Sequence, residues 1–289
     1  MAFSTLIEAS ALSALVGKPG VTIVDCRFDL AKPDAGRSAY LAGHISGARY
    51  ADLNRDLSAA VTANSGRHPL PSPQELMATW RRLGIGSNTQ VIAYDDSAGA
   101  FAARAWWLLR WTGHRAVAVL NGGLGAWLAA GGTLESGGVS AAAGAEVEGD
   151  ARRTPNVDKT AVLGATDVEK LLKDPGFLLI DARAAERFAG TVEPIDPVAG
   201  HVAGAVNQPF SENLGSDGRF LPPAQLRLLW EKRLSGREAR EVAVMCGSGV
   251  TACHNLLSLE VAGLSGAKLY AGSWSEWIRD PKRPIAQGA

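Results

Sequence analysis

Short apolar runs alternate with longer amphipathic ones along this chain. Residues 21–25, 91–95, 117–120, 177–181 and 242–246 each crowd apolar side chains between charge and glycine, which predicts buried strands. Between them lie stretches with helical spacing. Residues 4–16 carry Leu6, Leu12 and Leu15 behind Ser4 as a candidate N-cap, and Gly17, Pro19 and Gly20 stop the pattern. Residues 73–83 follow Ser72, with Glu75 at the capping-box position. Further helices are predicted around Arg104, Trp106, Trp107, Leu108 and Trp111, around Trp127, from Thr166 to Leu172 with Glu169 at the capping position, and over 222–234, 250–262 and 274–278. Strands alternating with helices imply an α/β fold with mostly parallel sheets and helices on both faces.

The pattern occurs twice. Asp25, His44, Asp95 and Trp127 find counterparts in Asp181, His201, Cys246 and Trp277, at offsets of 156, 157, 151 and 150 residues. Gly43-His44-Ile45-Ser46-Gly47-Ala48 returns as Gly200-His201-Val202-Ala203-Gly204-Ala205. A near-constant offset over four landmarks implies a duplicated domain. We read residues 1–134 as the first copy, 135–158 as a linker rich in Gly, Ala, Ser and charge, and 159–289 as the second copy.

Composition narrows the field. The chain has 289 residues, with 29 basic and 29 acidic side chains, so net charge offers no handle for nucleic acid or a membrane surface. Its three cysteines are too few and too odd in number for a disulfide framework, which points to a reducing, cytoplasmic setting. No Cys-x-x-Cys pair suggests zinc, and neither a signal peptide nor a membrane-spanning apolar run is read.

One cysteine stands apart. Cys246 follows a predicted strand and opens the loop Gly247-Ser248-Gly249-Val250-Thr251 before a predicted helix. In open α/β sheets ligands sit outside the carboxyl ends of strands. A cysteine there meets backbone N–H groups and a helix N-terminus, a setting that solvates a thiolate. The first copy has Asp95 at this place, so only one copy carries a nucleophile.

These residues resemble the rhodanese superfamily, in particular its tandem-domain sulfurtransferases. The likeness spans nearly the whole chain. It rests on Asp181-Ala182-Arg183 with Arg187-Phe188, on the two Gly-His-x-x-Gly-Ala motifs, on Gly122-Gly123 followed by Trp127, and on the loop from Cys246 to Thr251. The Cys-Gly-Ser-Gly-Val-Thr loop looks like that of the 3-mercaptopyruvate sulfurtransferases; thiosulfate sulfurtransferases carry basic residues where Gly247 and Ser248 stand. The resemblance implies a silent N-terminal copy. It also implies a Cys246 persulfide cradled by the backbone of Gly247, Gly249, Val250 and Thr251, with Arg187 gripping the donor carboxylate through two parallel hydrogen bonds. It further implies a relay of Ser248 and His68, brought into an interdomain cleft by a loop of the first copy. Neither a cofactor nor a metal is needed. The acceptor would be a thiol, such as thioredoxin, or cyanide.

Two positions depart from the pattern. Asn54 aligns where the relay's acid is expected, with Asp52 and Asp56 as nearby substitutes. Residues 193–197 lack the second arginine that such enzymes often carry about nine positions after the first. Three other functions compete: a thiosulfate:cyanide sulfurtransferase, a non-catalytic persulfide carrier or partner-binding module, and a Cys-based phosphatase. The last needs an arginine six residues after the cysteine, where Ala252 stands. Cys26, Cys253, His44, His201, His254, Trp106, Trp107 and Trp111 are read as structural, and Asp25 and Asp181 as anchors of loops.

Overall fold

The structure, a computed structural model, describes residues 2–138 and 155–288. The chain forms two compact units. The first takes residues 2–59, 71–138, 155–158 and 217–219; the second takes 60–70, 159–216 and 220–288. The segment 60–70, which precedes most of the first unit in sequence, thus packs as part of the second.

The first unit runs β1 (Leu6–Ile7), α1 (Ala9–Ser13), β2 (Val21–Asp25), α2 (Ala35–Ala42), β3 (His44–Ile45), β4 (Arg49–Tyr50), α3 (Pro73–Arg82), β5 (Gln90–Tyr94), α4 (Ala102–Trp111), β6 (Val117–Leu120), α5 (Gly123–Ala129) and β7 (Leu134–Glu135). Its parallel sheet has the order β1-β6-β5-β2-β4, and β3 pairs antiparallel with β7. Ile23, Ile92, Tyr94, Ala118 and Leu120 bury one face of the sheet together with Leu12 and Trp127. The capping box of α3 forms as expected: Ser72 Oγ accepts the Glu75 N–H, and the Glu75 carboxylate accepts the Ser72 N–H.

The first expected helix is instead two elements. Leu6 and Ile7 pair with Val119 and Leu120, and the helix begins only at Ala9, after Glu8 rather than Ser4. Ile7 is 2% exposed, and burying such a side chain contributes about 2 kcal/mol. That exceeds the few tenths of a kcal/mol per residue by which helix propensities differ. The expected linker also starts too early. Glu135 lies in β7, where its carboxylate accepts from Ser46 Oγ and the Gly47 N–H and meets His44 Nε2 at 3.2 Å. Residues 139–154 of that stretch fall outside the described residues.

The second unit repeats the plan with β8 (Val162–Leu163), α6 (Ala165–Leu171), β9 (Leu178–Asp181), α7 (Ala185–Ala189), β10 (His201–Val202), β11 (Val206–Asn207), α8 (Pro223–Leu234), β12 (Val242–Met245), α9 (Ala252–Val261), β13 (Lys268–Tyr270), α10 (Ser273–Trp277) and β14 (Ile285–Ala286). Its parallel sheet has the order β11-β9-β12-β13-β8, and β10 pairs antiparallel with β14. Helix α6 starts one residue before Thr166. Gly164 is its N-cap, and Asp167, not Glu169, accepts the cap N–H at 3.0 Å.

Register explains the placement of the candidate cysteine. In the first unit Asp25 is opposite Tyr94, and in the second Asp181 is opposite Met245. The next residue on each central strand, Asp95 or Cys246, therefore emerges at the carboxyl end of the sheet.

Candidate active site

Cys246 immediately follows β12 and is 2% exposed. Its loop is held from below by the start of α10. The Cys246 N–H donates to Ser273 Oγ at 3.0 Å, while Trp274 N–H and Ser275 N–H donate to the carbonyls of Cys246 and Gly247 at 3.0 and 2.9 Å. The Gly249 N–H points at Cys246 Sγ at 3.2 Å. Gly249 has φ +77°, and a Cβ there would sit 2.3 Å from the Ala271 carbonyl oxygen. Only glycine fits, so the sequence at this point is dictated by the turn that wraps the sulfur. Val250 is buried, and Thr251 precedes the first turn of α9.

The matching loop of the first unit shows what this backbone can hold. Asp95 is fully buried, and its carboxylate accepts four N–H bonds, from Ser97, Gly99, Phe101 and Ala102, at 2.8–2.9 Å. Burial pushes the Asp95 carboxyl above its ordinary value, although all four donors work to lower it. At the offset of 151 residues these donors correspond to Ser248, Val250, Ala252 and Cys253. By this correspondence the candidate donors around Cys246 extend two residues into α9, beyond the 247–251 span. The repeat itself was the signal for Ala252 and Cys253.

Ser248 and His68 meet. His68 Nδ1 lies 2.8 Å from Ser248 Oγ, and both are buried. The Arg67 N–H donates to Ser275 Oγ at 2.9 Å, which fixes the approach of His68. Because residues 60–70 belong to the second unit, this contact is internal to it. The candidate acids lie in the first unit and serve a local turn. Asp52 accepts the N–H groups of Asn54 and Arg55, Asp56 accepts from Asp52 N–H and Arg82, and Asn54 is exposed.

Arg187, near the end of α7, does not present a free fork. Its Nε and Nη2 bond to the Glu193 carboxylate at 2.7–3.2 Å, and Nη2 also reaches Asp196 at 3.1 Å. Only Nη1 is left, and it faces the loop: a Cβ built on Gly247 would lie 3.6 Å from it. The same Cβ would lie 3.3 Å from Nη2 of Arg67, a residue the sequence reading passed over. Its position beside His68 was the available signal. Asp196 joins the two arginines, accepting from Arg67 Nη1 at 2.6 Å. Arg183 completes the group by pairing with Asp181 and Glu193. Three guanidinium groups are matched by three carboxylates. Burial works to raise Glu193, but Arg187 and the N–H groups of Asp196 and Ile195 outweigh it and hold its carboxyl below the usual range.

The remaining candidates are structural. Asp25 with Arg27 and Asp181 with Arg183 form equivalent buried pairs, each tying its arginine to the carbonyl of Gly43 or Gly200. His44 stacks on Tyr40 and His201 on Phe188, each with Nδ1 on the carbonyl of its stacking partner. By these matching contacts Tyr40 corresponds to Phe188, and Ala39, one residue before it, to Arg187. Cys253 donates to the Gly249 carbonyl at 3.4 Å, His254 stacks on Phe220 at 4.3 Å, and Cys26, Trp106 and Trp107 are core, while Trp111 stacks on Trp107. No group of three or more His, Cys, Asp or Glu side chains able to hold a metal occurs among the described residues.

Fold and site together define a duplicated α/β protein in which one copy carries a buried cysteine in the loop after its central strand. The chain belongs to the rhodanese family: the rhodanese-like domain model matches residues 8–130 and 164–280. A Pseudomonas aeruginosa protein provisionally named 3-mercaptopyruvate sulfurtransferase is 50% identical over 290 residues, covering all of both chains. SseB of Mycobacterium tuberculosis, provisionally named a thiosulfate sulfurtransferase, is 42% identical over 98% of this chain and 97% of its own. Among solved structures, the 3-mercaptopyruvate sulfurtransferase SseA of Escherichia coli superposes with a TM-score of 0.78 at 32% identity, covering 95% of this chain and all of that one. Among the described residues, no helix is long and apolar enough to cross a membrane.

Proposed function

We propose that this protein transfers sulfur from 3-mercaptopyruvate, through a persulfide on Cys246, to a thiol such as that of thioredoxin or to cyanide. The carrying observation is the buried Ser248–His68 hydrogen bond in the Cys246 loop. The Cys246 thiolate attacks the donor sulfur. The carbon–sulfur bond breaks, its electron pair moves onto the departing carbon, and pyruvate forms once that carbon takes a proton. The Ser248–His68 pair is built to carry that proton. The sulfur stays on Cys246, stabilised by loop N–H groups such as that of Gly249, the counterparts of those that hold the Asp95 carboxylate in the first unit. An acceptor thiolate then attacks the outer sulfur and Cys246 leaves as thiolate, giving ping-pong kinetics. No cofactor or metal enters these steps.

Charge favours this donor. The cluster of Arg67, Arg183 and Arg187 is already balanced by Asp181, Glu193 and Asp196. One further negative charge fits against the loop dipoles more readily than the two of thiosulfate. The thiosulfate reading draws support from the two guanidinium groups over Gly247 and from the name of the mycobacterial relative. Steady-state kinetics with each donor, using a thiol and cyanide as acceptors, test the choice. We expect a higher kcat/KM for 3-mercaptopyruvate; a higher value for thiosulfate overturns it. The first unit is silent in this reading, with Asp95 and Ala39 in place of the nucleophile and the arginine. A reducing compartment, the cytoplasm, suits a Cys246 that must stay free.

A further inference from the structure

We infer that Asn213 is a positioning residue for the sulfur transfer: it fixes the start of α9, and with it the backbone that wraps Cys246. This rests on the reading that Cys246 carries the sulfur. Trp230, Ser258, Asn213 and Asn255 are all fully buried, and their side chains form one chain of hydrogen bonds. Trp230 Nε1, on α8, donates to Ser258 Oγ at 2.7 Å, and Ser258 Oγ donates to Asn213 Oδ1 at 3.0 Å. Asn213 Nδ2 donates to Asn255 Oδ1 at 2.7 Å, and Asn255 Nδ2 donates to the Gln208 carbonyl at 2.9 Å. An indole N–H can only donate and a carbonyl can only accept, so the bonds run one way, from Trp230 to Gln208. Asn213 Nδ2 also lies 3.2 Å from His254 Nδ1, which takes its second hydrogen.

This chain ties the first turn of α9 to the sheet. His254 and Asn255 are the third and fourth residues of α9, and Ser258 lies one turn on. Asn213 closes a 3-10 turn over Phe210–Asn213. That segment is anchored to the end of β9: the Gln208 N–H donates to the Asp181 carbonyl at 2.9 Å, and the Phe210 N–H to the Ala182 carbonyl at 3.1 Å. The start of α9 is thereby registered against β9, the strand beside β12. The helix in turn holds the loop. Cys253 Sγ donates to the Gly249 carbonyl at 3.4 Å, and the Gly249 N–H points at Cys246 Sγ at 3.2 Å. Directional bonds fix the rotation and height of a helix more narrowly than apolar contacts do.

The first unit shows that the fold does not need this network. At the offset of 151 residues His254, Asn255 and Ser258 correspond to Ala103, Arg104 and Trp107. Ala103 and Trp107 are core, and Arg104 reaches the Leu57 carbonyl at 3.4 Å. Helix α4 packs beside its sheet with these residues. A buried polar network adds little stability over an apolar core but selects one arrangement. The copy with the cysteine is the one that carries it.

Asn213→Leu and Ser258→Ala in the full chain test this, with Val168→Ala, a core truncation in α6, as control. Steady-state kinetics are run with 3-mercaptopyruvate and with thiosulfate. Amide hydrogen exchange over 249–255 gives a readout independent of turnover. We expect Asn213→Leu to lower kcat by about 10- to 100-fold while KM stays within about 3-fold. Exchange over 249–255 should speed up by about 10-fold, with no change in α6. Ser258→Ala should move both readouts in the same direction by a smaller factor, and Val168→Ala should move neither. An Asn213→Leu protein with wild-type kcat or wild-type exchange over 249–255 overturns the assignment. So does a Val168→Ala protein that loses as much kcat, since the effect is then general destabilisation. If Asn213→Leu fails to fold, Ser258→Ala decides, and unchanged kcat there overturns the assignment. A wild type active only with thiosulfate refutes the donor reading alone, because the same comparison is then read with thiosulfate. A wild type inactive with both donors overturns the sulfur-carrier reading and this assignment with it.

Discussion

His68 Nδ1 lies 2.8 Å from Ser248 Oγ although 180 residues separate them in sequence. In our reading this pair, beside Cys246, acts as one unit in proton transfer. Ser248→Ala and His68→Ala should each lower kcat with 3-mercaptopyruvate by about 10²- to 10⁴-fold. The double variant should be little worse than the worse single one, because either change removes the same relay. Full additivity in steady-state kinetics would show that the two side chains work independently.

Cys246 is the sulfur carrier in our reading. Wild-type protein incubated with 3-mercaptopyruvate and no acceptor should gain the mass of one sulfur atom. Cys246→Ser should lose that gain, and Cys253→Ser should keep it, since Cys253 is fully buried and bonds the loop carbonyl. Intact-mass spectrometry gives the answer directly. An adduct that survives in Cys246→Ser places the sulfur on another residue.

The Asp95 loop offers the converse experiment. Installing a cysteine there in a Cys246→Ser background (Asp95→Cys/Cys246→Ser) should not restore turnover. The N–H cradle is present, but Ala39 stands in place of Arg187. Measurable kcat/KM from this variant would mean that the cradle alone suffices for the chemistry.

Glu193 makes stability depend on acid. Its folded pKa is depressed, so its contribution is present above the unfolded value of about 4.3 and is lost as pH falls through the folded value. Glu193→Gln should lower Tm at pH 7 and flatten the fall in Tm between about pH 5 and pH 3. Thermal melts across that range test it; parallel curves for the two proteins would refute the assignment.

Gly249→Ala should destabilise the protein by about 1–3 kcal/mol, from the positive φ and the clash with the Ala271 carbonyl. Denaturant unfolding measures the cost. A variant as stable as wild type would mean that the loop can take another path around Cys246.

Much of this fold is legible in the sequence. Strand β2 falls where the apolar run 21–25 lies, and the Ser72–Glu75 capping box closes as its spacing implies. Local signals fail where a tertiary partner competes. Leu6 and Ile7 have helical spacing, yet the open edge of β6 draws them into the sheet. Arg187 was legible as a residue near Cys246 but not as one already held by Glu193 and Asp196, because those contacts depend on how residues 190–197 fold back.

What the chain by itself determined is the repeat, the parallel α/β sheets and the one copy with a cysteine after its central strand. Hydrophobic period, turn glycines and motif spacing are local properties, and the chain encodes them twice, once in each half. Only the tertiary structure decided which nitrogens around Cys246 are available. Segment 60–70 leaves its sequence neighbours to pack in the second unit, bringing Arg67 and His68 to Gly247 and Ser248. No spacing in the sequence records that, because hydrogen-bond partners of a charged side chain are set by distances in space rather than by position along the chain.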